Sequence, residues 1–374
     1  MKYYIIAGEA SGDLHGSNLI RYLKLNDQEA ECRCWGGDLM QEQGAEIVMH
    51  YRDLAFMGFL EVIANLRTIF RNLNYCKEDI LQWKPDVLIL IDYPGFNLRI
   101  AEFAKKEHIR TIYYISPQIW AWKESRIHKI KRDVDKMLVI LPFEKDFYQK
   151  WGMEVDFVGH PLLDAIGHRQ WAGPDWKKAH GIPEDKNMVA LLPGSRKQEI
   201  ETMLPLMLQA TEDLHQFHYV LAMAPSQDPA FYQGLLGNRK DISLIQGQTY
   251  AILSQASAAL VTSGTATLET ALFGVPEVVC YKGNVVSYWI ARQLVKVKYI
   301  SLVNLVMDRE IVKELIQADL KAANLRQELL KLFDTDYRKK MLEAFTELKQ
   351  KLGGEGASEK SSNIIIKYLK DLPK

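Results

Sequence analysis

The chain has 374 residues with 47 basic and 47 acidic side chains, so its formal net charge is zero. Because a nucleic-acid-binding protein needs a net basic surface, this balance argues against such a function. The length is sufficient for two domains, each with a hydrophobic core of its own. The four cysteines lack the spacing of a zinc site and no other metal-binding pattern is visible, so we expect no metal and no cofactor. Free thiols, and the lack of a signal peptide or a membrane-length apolar run, predict a cytoplasmic protein.

Short β-type runs alternate with helical stretches in the first half of the chain. The predicted strands span residues 3–7, 31–35, 87–91, 111–115, 136–140 and 155–158. This alternation is typical of a parallel sheet that is covered by helices on both faces. Prolines and glycines cluster between residues 159 and 183, and we interpret this stretch as the connection between two domains.

The same alternation resumes in the second half and then becomes helical. Strands are predicted at 188–192, 219–222, 243–245, 258–261 and 277–281, and helices at 309–317, 320–333, 337–352 and 358–369. The predicted fold is therefore α/β, with two doubly wound, Rossmann-like domains facing a cleft and a helical C-terminal tail. We assign 1–165 to the first domain, 166–340 to the second, and 341–374 to helices that pack back on the first.

Two strand-to-helix turns in the second half have the composition of phosphate-binding turns. They comprise Gly194, Ser195 and Arg196 after one predicted strand, and Ser263, Gly264 and Thr265 after another. Small residues let backbone N–H groups approach an anion at a helix N-terminus, and the guanidinium of Arg196 fits a phosphate. Glu269 lies one helical turn past Thr265, where a carboxylate can accept ribose hydroxyls. The pattern predicts a nucleoside diphosphate site, and the alternative is two ordinary turns that bind nothing.

Polar and aromatic residues follow three predicted strands of the first domain. They are Glu9, Ser11 and Asp13 after the first strand, Asp92 and Asn97 after 87–91, and Ser116, Trp120 and Trp122 after 111–115. The carboxylates of the first loop would repel a pyrophosphate, so we expect this loop to bind sugar hydroxyls. Asp92, at a strand tip, is a candidate general base. The alternatives are a helix cap for Ser11 or Asp13, a turn-initiating role for Asp92, and core packing for the tryptophans.

An apolar stretch from residue 54 to residue 70 has helical spacing with an arc wider than one core-facing stripe. Its candidates for contact with a membrane or an acyl chain are Phe56, Met57, Phe59 and Leu60. Arg67 and Arg71 follow, and a basic run extends over 123–132. Apolar residues rimmed by positive charge suit an anionic membrane surface, whereas a buried core helix is the alternative.

Taken in chain order, these motifs resemble those of the lipid A disaccharide synthases, a family of GT-B glycosyltransferases of lipopolysaccharide biosynthesis in Gram-negative bacteria. The resemblance rests on Gly-Glu-Ala-Ser-Gly-Asp from residue 8, Phe-Met-Gly-Phe-Leu-Glu-Val from 56, Ile-Asp-Tyr-Pro-Gly-Phe-Asn from 91, Ser-Pro-Gln-Ile-Trp-Ala-Trp from 116, Leu-Pro-Gly-Ser-Arg from 192, and Ser-Gly-Thr-Ala-Thr-Leu-Glu from 263. It implies a metal-free, inverting condensation of UDP-2,3-diacylglucosamine with 2,3-diacylglucosamine 1-phosphate (lipid X). The products are the β-1′→6-linked disaccharide 1-phosphate and UDP.

The resemblance also implies roles for particular residues. Asp92 matches the family's essential Asp, Arg196 matches its UDP-contacting Arg, and Asn304 lies in a motif expected to touch the nucleotide or its phosphates. Many members carry a second acidic residue where this chain has Gly95, so the role of base falls on Asp92. Members act as peripheral proteins at the inner face of the inner membrane, and the sequence leaves a homodimer open.

Two other functions stay open at this point. One is another GT-B enzyme, such as a UDP-N-acetylglucosamine transferase or epimerase. The other is a non-catalytic UDP-sugar-binding protein, in which Asp92 would be dispensable.

Overall fold

The computed structural model describes residues 1–54, 66–167, 170–237, 239–283 and 298–371. The chain divides into two compact units. The first comprises Met1–Gly167 together with Leu352–Lys374, and the second comprises His168–Lys351. Each unit is built on its own parallel β-sheet, as the sequence predicts.

The first unit contains a sheet of seven strands in the order β3-β2-β1-β4-β5-β6-β7. The strands are β1 (Lys2–Ala7), β2 (Glu31–Gly36), β3 (Glu46–His50), β4 (Val87–Ile91), β5 (Thr111–Tyr114), β6 (Lys136–Val139) and β7 (Asp156–Phe157). The helices are α1 (Ala10–Asn26), α2 (Asp38–Glu42), α3 (Leu66–Trp83), α4 (Pro94–Lys106), α5 (Ile127–Asp133), α6 (Pro142–Lys150) and α7 (Leu162–Ile166), with short 3₁₀ turns at Tyr51–Leu54 and Glu124–Arg126. Strand β4 is entirely apolar and fully buried, because helices cover both faces of a parallel sheet.

The second unit contains a sheet of six strands in the order β10-β9-β8-β11-β12-β13. The strands are β8 (Asn187–Leu192), β9 (Phe217–Met223), β10 (Ile242–Gln246), β11 (Ala258–Thr262), β12 (Glu277–Tyr281) and β13 (Lys313–Ile316). The helices are α8 (Trp176–Ala179), α9 (Lys197–Thr211), α10 (Pro229–Leu236), α11 (Thr249–Gln255), α12 (Thr265–Leu272), α13 (Leu302–Met307), α14 (Ala322–Lys331) and α15 (Thr335–Lys351). A last helix, α16 (Ala357–Lys370), belongs to the first unit.

The unit boundaries correct the predicted extent of the C-terminal tail. Residues 341–351 belong to α15 and thus to the second unit, where Arg338 donates a hydrogen bond to the carbonyl of Ser257 at 2.6 Å. Only the segment from Leu352 onward joins the first unit. The carboxylate of Asp164 accepts the N–H groups of Gly356, Ala357 and Ser358 at 2.6–3.2 Å and so satisfies the start of α16. Helix α16 packs against α1.

Residues 309–317 correct a second prediction, because part of this segment is a strand rather than a helix. Strand β13 pairs with β12 at the edge of the second sheet, with Leu315 buried beside Cys280. A four-residue strand has too few residues to display a period, so tertiary pairing determines its conformation. No helix in the described parts of the chain has the length and apolar character needed to cross a membrane.

Each sheet has one point at which the order of its strands reverses direction. In the first sheet it lies between β1 and β4, where Ala7 is paired with Ile91. In the second it lies between β8 and β11, where Leu192 is paired with Val261. Open α/β sheets bind ligands at the carboxyl ends of the strands that flank such a switch point. Most of the residues selected from the sequence lie in the loops that follow these four strands or in the first turns of the helices after them.

Candidate active site

The chain adopts an unusual backbone conformation in the segments that follow β4 and β5. Asp92 and Tyr93 have φ of 44° and 48°, Ile115 has 66° and Lys123 has 62°. These are four of the eight non-glycine residues with positive φ in the described chain. Left-handed backbone is unfavourable for residues with a side chain, most of all for a β-branched one such as Ile115, by roughly 1–3 kcal/mol each. Strain of this kind is concentrated at sites where the position of a side chain matters for function.

A network of hydrogen bonds holds Asp92 in this conformation. The side-chain amide of Asn97 donates to the carbonyl of Asp92 at 2.8 Å and to those of Ile91 and Ile6 at 3.2 and 3.4 Å. The hydroxyl of Tyr113 donates to the same Asp92 carbonyl at 2.6 Å. Asn97 is fully buried, so the acceptor contact predicted for it is not available. It instead joins the ends of β1 and β4 at the switch point.

The environment of Asp92 favours a carboxylate that can take up a proton near neutral pH. Burial and, to a smaller extent, the negative charge of Glu9 raise the pKa of Asp92 to about 6, against a hydrogen bond from the backbone of Tyr93 that lowers it. Glu9 is exposed at the end of β1, across the switch point. A general base is most effective when its pKa lies close to the working pH. The geometry and the electrostatics therefore both suit Asp92 for proton abstraction.

Gly8 is required by the packing of this loop. The ring of Tyr93 lies so close to Gly8 that a Cβ atom at that position would be 2.4 Å from the ring. Any larger residue would displace Tyr93 and, with it, the strained turn that contains Asp92.

A cavity of about 170 Å³ opens beside Asp92. Its walls include Pro117, Gln118, Trp122, Lys123 and Arg126, all from the segment that follows β5. The indole of Trp122 is 44% exposed. The ammonium of Lys123 and the guanidinium of Arg126 lie 4.3 and 5.5 Å from the ring centre of Trp122. The cavity thus combines a carboxylate, an aromatic surface and two cations.

The acceptor-side residues of the first loop separate into accessible and structural ones. Glu9 and Ser11 are exposed, whereas Asp13 is only 2% exposed. The carboxylate of Asp13 accepts the N–H groups of Gly37, Leu39 and Met40 at 2.8–3.1 Å and therefore caps α2. Helix α1 begins at Ala10, so neither Ser11 nor Asp13 caps it. The prediction that Asp13 contacts the acceptor is corrected, because both its oxygens are used inside the protein.

The residues after β5 separate in the same way. Ser116 is buried and its hydroxyl lies 2.7 Å from that of Tyr148. The indole N–H of Trp120 donates to Glu144 at 3.2 Å, and Trp120 is 9% exposed. Ser116 and Trp120 are therefore packing residues rather than ligands of an acceptor. Trp122 retains an exposed ring at the cavity.

In the second unit, the turn after β8 is occupied by a carboxylate of the protein itself. Gly194 has φ of 109°, which favours glycine. Glu199 accepts the N–H groups of Ser195 and Arg196 at 3.4 and 3.3 Å, and its other oxygen lies 3.3 Å from the guanidinium of Arg196. Arg196 is 65% exposed. A phosphate bound here has to exchange with Glu199, because both would use the same N–H groups and the same guanidinium.

The small residues of the turn after β11 lie next to the turn after β8. Gly264 and Thr265 are exposed at the start of α12, and the hydroxyl of Ser263 donates to the carbonyl of Ile300 at 3.4 Å. Since β8 and β11 are neighbours, the two predicted phosphate turns lie side by side at the switch point of this sheet.

Tyr250 orients the carboxylate that was assigned to the ribose. Its hydroxyl donates to Glu269 at 2.7 Å from the neighbouring helix α11. Burial raises the pKa of Glu269, and the hydrogen bond from Tyr250 opposes that shift. The ring of Tyr250 is fixed by edge-on contact with Trp171, 4.9 Å between centres. Tyr250 is a functional candidate that sequence reasoning missed, since only the fold brings it next to Glu269.

Asn304 corrects another prediction, because its side chain is fully buried and fully used. Its amide donates to the carbonyl of Val312 and to Glu314, both at 2.9 Å. Its oxygen accepts the N–H groups of Ile311 and Val312 at 2.7 and 3.0 Å. With two donors and two acceptor positions occupied, the side chain has none left for a nucleotide. Asn304 ties α13 to β13.

Two further predictions concern a membrane face and a metal. Phe56, Met57, Phe59 and Leu60 lie outside the described residues, and their contact with lipid stays a prediction. Directly after that segment, Phe70 on α3 is 57% exposed, and Arg67 and Arg71 beside it are also exposed. The described residues contain no group of three His, Cys, Asp or Glu side chains that could hold a metal ion.

Comparison with known proteins gives a consistent result at two levels of similarity. The family model described as Lipid-A-disaccharide synthetase matches residues 3–367. The lipid-A-disaccharide synthase of Syntrophus aciditrophicus (strain SB) is 40% identical over 373 residues, which cover 98% of this chain and 97% of that relative.

Solved structures share the fold at low sequence identity. The UDP-GlcNAc 2-epimerase from Neisseria meningitidis, bound to UDP-GlcNAc, has a TM-score of 0.70 at 13% identity and covers 100% of both chains. The glycosyltransferase of kitacinnamycin has a TM-score of 0.67 at 18% identity and covers 98% of this chain and 99% of its own. Such likeness shows the GT-B fold but does not distinguish transferases from epimerases. The family match over nearly the whole chain makes that distinction, and the chain belongs to the lipid-A-disaccharide synthase family of glycosyltransferases.

Proposed function

We propose that this chain transfers a 2,3-diacylglucosamine unit from UDP to the 6-hydroxyl of 2,3-diacylglucosamine 1-phosphate. The products are the β-1′→6-linked disaccharide 1-phosphate and UDP, with inversion at the anomeric carbon. The observation that carries the proposal is Asp92: a desolvated carboxylate with a raised pKa, in strained backbone at a switch point, beside a cavity. A purely structural turn residue needs neither the raised pKa nor the cavity.

The first unit supplies the base. As the acceptor's 6-oxygen forms a bond to the anomeric carbon, its proton passes to the carboxylate of Asp92. At the same time the bond between the anomeric carbon and the diphosphate oxygen breaks, and its electron pair leaves with UDP. Asn97 and Tyr113 hold the backbone of Asp92 and thereby keep the base aimed during the reaction.

The second unit binds the donor. Arg196 and the N–H groups of the two neighbouring turns stabilise the negative charge that develops on the departing UDP. Without a ligand, Glu199 is hydrogen-bonded to the N–H group and the guanidinium of Arg196, and these bonds break when the diphosphate binds. Glu269, oriented by Tyr250, accepts the ribose hydroxyls. These groups take the role that a divalent ion has in other transferases, so we expect turnover to persist in EDTA.

We also propose that the protein works at the inner face of the inner membrane, bound peripherally to its anionic surface. Its substrates are acylated, and the exposed Phe70 between Arg67 and Arg71 supports an apolar contact rimmed by positive charge. Replacing Phe70 with Ser should reduce co-sedimentation with anionic vesicles while leaving the melting temperature nearly unchanged. A large fall in melting temperature with unchanged vesicle binding would contradict the membrane contact.

The experiment that tests the function is UDP release by the purified full chain with both lipid substrates in detergent micelles. The proposal predicts equal amounts of UDP and disaccharide 1-phosphate, and no UDP when the acceptor is left out. Conversion of UDP-N-acetylglucosamine to its C2 epimer without an acceptor would instead show an epimerase. Binding of the donor with no turnover of either kind would show a UDP-sugar-binding protein.

A further inference from the structure

The cavity beside Asp92 contains two cations for which the mechanism above has no use. Lys123 and Arg126 line it, and neither forms an ion pair with a carboxylate of the described residues. Farther along the same segment, Lys129 and Arg132 both approach Glu102, at 4.0 and 3.8 Å. Within one surface segment, Lys129 and Arg132 therefore lie near a carboxylate, whereas Lys123 and Arg126 have no such partner among the described residues.

The fold holds both cations against one aromatic ring. The indole of Trp122 lies 4.3 Å from the ammonium of Lys123 and 5.5 Å from the guanidinium of Arg126. Lys123 reaches this position with left-handed backbone, φ 62° and ψ 44°, which a lysine rarely adopts. A ring face attracts the charge of a cation but accepts none of the hydrogen bonds that its N–H groups donate. No hydrogen bond from either side chain to another of the described residues competes for these donors, so they remain for another ligand.

The carboxylate of Asp92 lines the same cavity as these cations. Burial and the negative charge of Glu9 raise the pKa of that carboxyl to about 6. The cavity therefore combines a basic carboxylate with a pair of cations that attract an anion. A ligand that contacts both carries a hydroxyl and an anionic group on one small frame.

We propose that Lys123 and Arg126, held on Trp122, bind the phosphate of the acceptor and so orient its hydroxyl toward Asp92. The inference rests on the proposed function, which supplies an acceptor with a hydroxyl and a phosphate on the same sugar. A phosphate monoester carries nearly two negative charges at neutral pH, which matches two cations, and the guanidinium adds a planar pair of donors. At about 170 Å³ the cavity has room for a phosphate but not for a diacylated sugar, so the acyl chains lie outside it.

The test is a direct binding measurement with radiolabelled 2,3-diacylglucosamine 1-phosphate and its dephosphorylated counterpart in neutral detergent micelles. The variants are Lys123→Gln, Arg126→Gln and the double variant. Each single substitution should weaken binding of the phosphorylated lipid about ten-fold, and the double variant about 100-fold. Affinity for the dephosphorylated lipid should stay within about two-fold of wild type. Arg126→Lys should restore part of the preference, because it restores the charge.

Lys106→Gln is the matched control, because Lys106 is an exposed lysine of the same unit that does not line the cavity. It should leave both affinities unchanged. Equal losses for the two lipids would overturn the proposal, as would a wild-type protein with no preference for the phosphorylated one. A double variant that keeps the preference in neutral micelles but loses binding to anionic vesicles would assign the cations to membrane headgroups instead.

Turnover is measured separately, so the two proposals can fail independently. If wild type prefers the phosphorylated lipid but releases no UDP with the donor, the phosphate site stands and the transferase function fails. If UDP is released and the preference is absent, the transferase function stands and the phosphate site fails.

Discussion

The switch points of the two units share one topology but satisfy their polar groups in different ways. At the first, Asp92 lies in strained backbone with a raised pKa, and the cations of the cavity have no ion pair with the described residues. At the second, Glu199 occupies the N–H groups of the turn and Tyr250 occupies Glu269. The first site has groups prepared for chemistry, whereas the second exchanges internal partners for a ligand. Substitution of Asp92 should therefore mainly change kcat, and substitutions at the second switch point should mainly change the affinity for the donor.

Removing the carboxylate of the first site should have the largest effect. Asp92→Asn should lower kcat by about 10²–10⁴, the usual contribution of a general base, while KM for the donor stays near wild type. Steady-state UDP release at saturating lipid measures both constants. A variant with wild-type kcat would make Asp92 a turn residue, and a rise in donor KM alone would remove the distinction between the two switch points.

The same substitution should stabilise the protein at neutral pH. Because the pKa of Asp92 is raised by folding, the folded protein binds more protons than the unfolded chain between about pH 4 and 6, and its stability falls as the pH rises through this range. Above pH 6, Asp92→Asn should raise the free energy of unfolding by up to about 3 kcal/mol, with the gain vanishing toward pH 4. Urea unfolding at pH 4.5 and 7.5 measures this difference. A gain that does not depend on pH would have another origin.

At the second site, Arg196→Gln should weaken the binding of UDP about ten-fold, and it should lower kcat less than Asp92→Asn does. The guanidinium is exposed and forms an ion pair with Glu199, so its loss should weaken ligand binding more than it destabilises the fold. Lys197→Gln is the control, since Lys197 is the adjacent exposed cation and the first residue of α9. Calorimetry with UDP measures both variants. Equal losses for the two would mean that net charge, rather than the turn, attracts the nucleotide.

A smaller effect is expected for the hydroxyl that orients Glu269. Tyr250→Phe should raise KM for the donor about three-fold to ten-fold through loss of one hydrogen bond to a charged group, with kcat nearly unchanged. The rise in KM should disappear with a donor analogue that lacks the ribose hydroxyls, because Glu269 then has no hydroxyl to bind. A penalty of the same size for both donors would identify Tyr250 as a packing residue.

The smallest effect is expected at Gly95, beside Asp92. A Cβ at this position meets no atom within 4 Å, and the residue lies in the first turn of α4. Gly95→Asp should therefore raise stability by about 0.5–1 kcal/mol, because the substitution restricts the unfolded chain and places a negative charge at a helix N-terminus. Thermal unfolding measures the gain. An unchanged kcat in this variant would show that Asp92 needs no second carboxylate, whereas a large rise in kcat would show that a second carboxylate beside Asp92 assists catalysis.

Much of the fold could be predicted from the sequence, because strands such as β4 are continuous apolar runs bounded by turn residues. The position of Asp92 followed from the same pattern, since it comes directly after such a run. The edge strand β13 could not be found this way, because four residues show no period and the pairing with β12 holds them.

Residue roles that depend on distant partners were also outside the reach of the sequence. Asp13 looks like a cap for its own helix, yet its partners are N–H groups 24–27 residues away. Asn304 looks like a ligand of the nucleotide, yet its side-chain amide is hydrogen-bonded to the backbone of the loop before β13. Polar residues near a glycine turn have the same composition whether they bind a substrate or hold the turn, so only three-dimensional contacts separate the two.

The central claim, that Asp92 is the base and that its pKa is set by its surroundings, can be tested by the pH dependence of kcat/KM for wild type and Glu9→Gln. Wild type should lose activity as the pH falls through about 6, because protonated Asp92 cannot accept the acceptor's proton. The acceptor phosphate also ionises near pH 6, so the wild-type profile alone does not identify the group. Glu9→Gln removes a charge that raises the pKa of Asp92, and its acidic limb should move to lower pH, whereas the ionisation of the substrate would stay in place. An acidic limb that does not move in Glu9→Gln would contradict the claim.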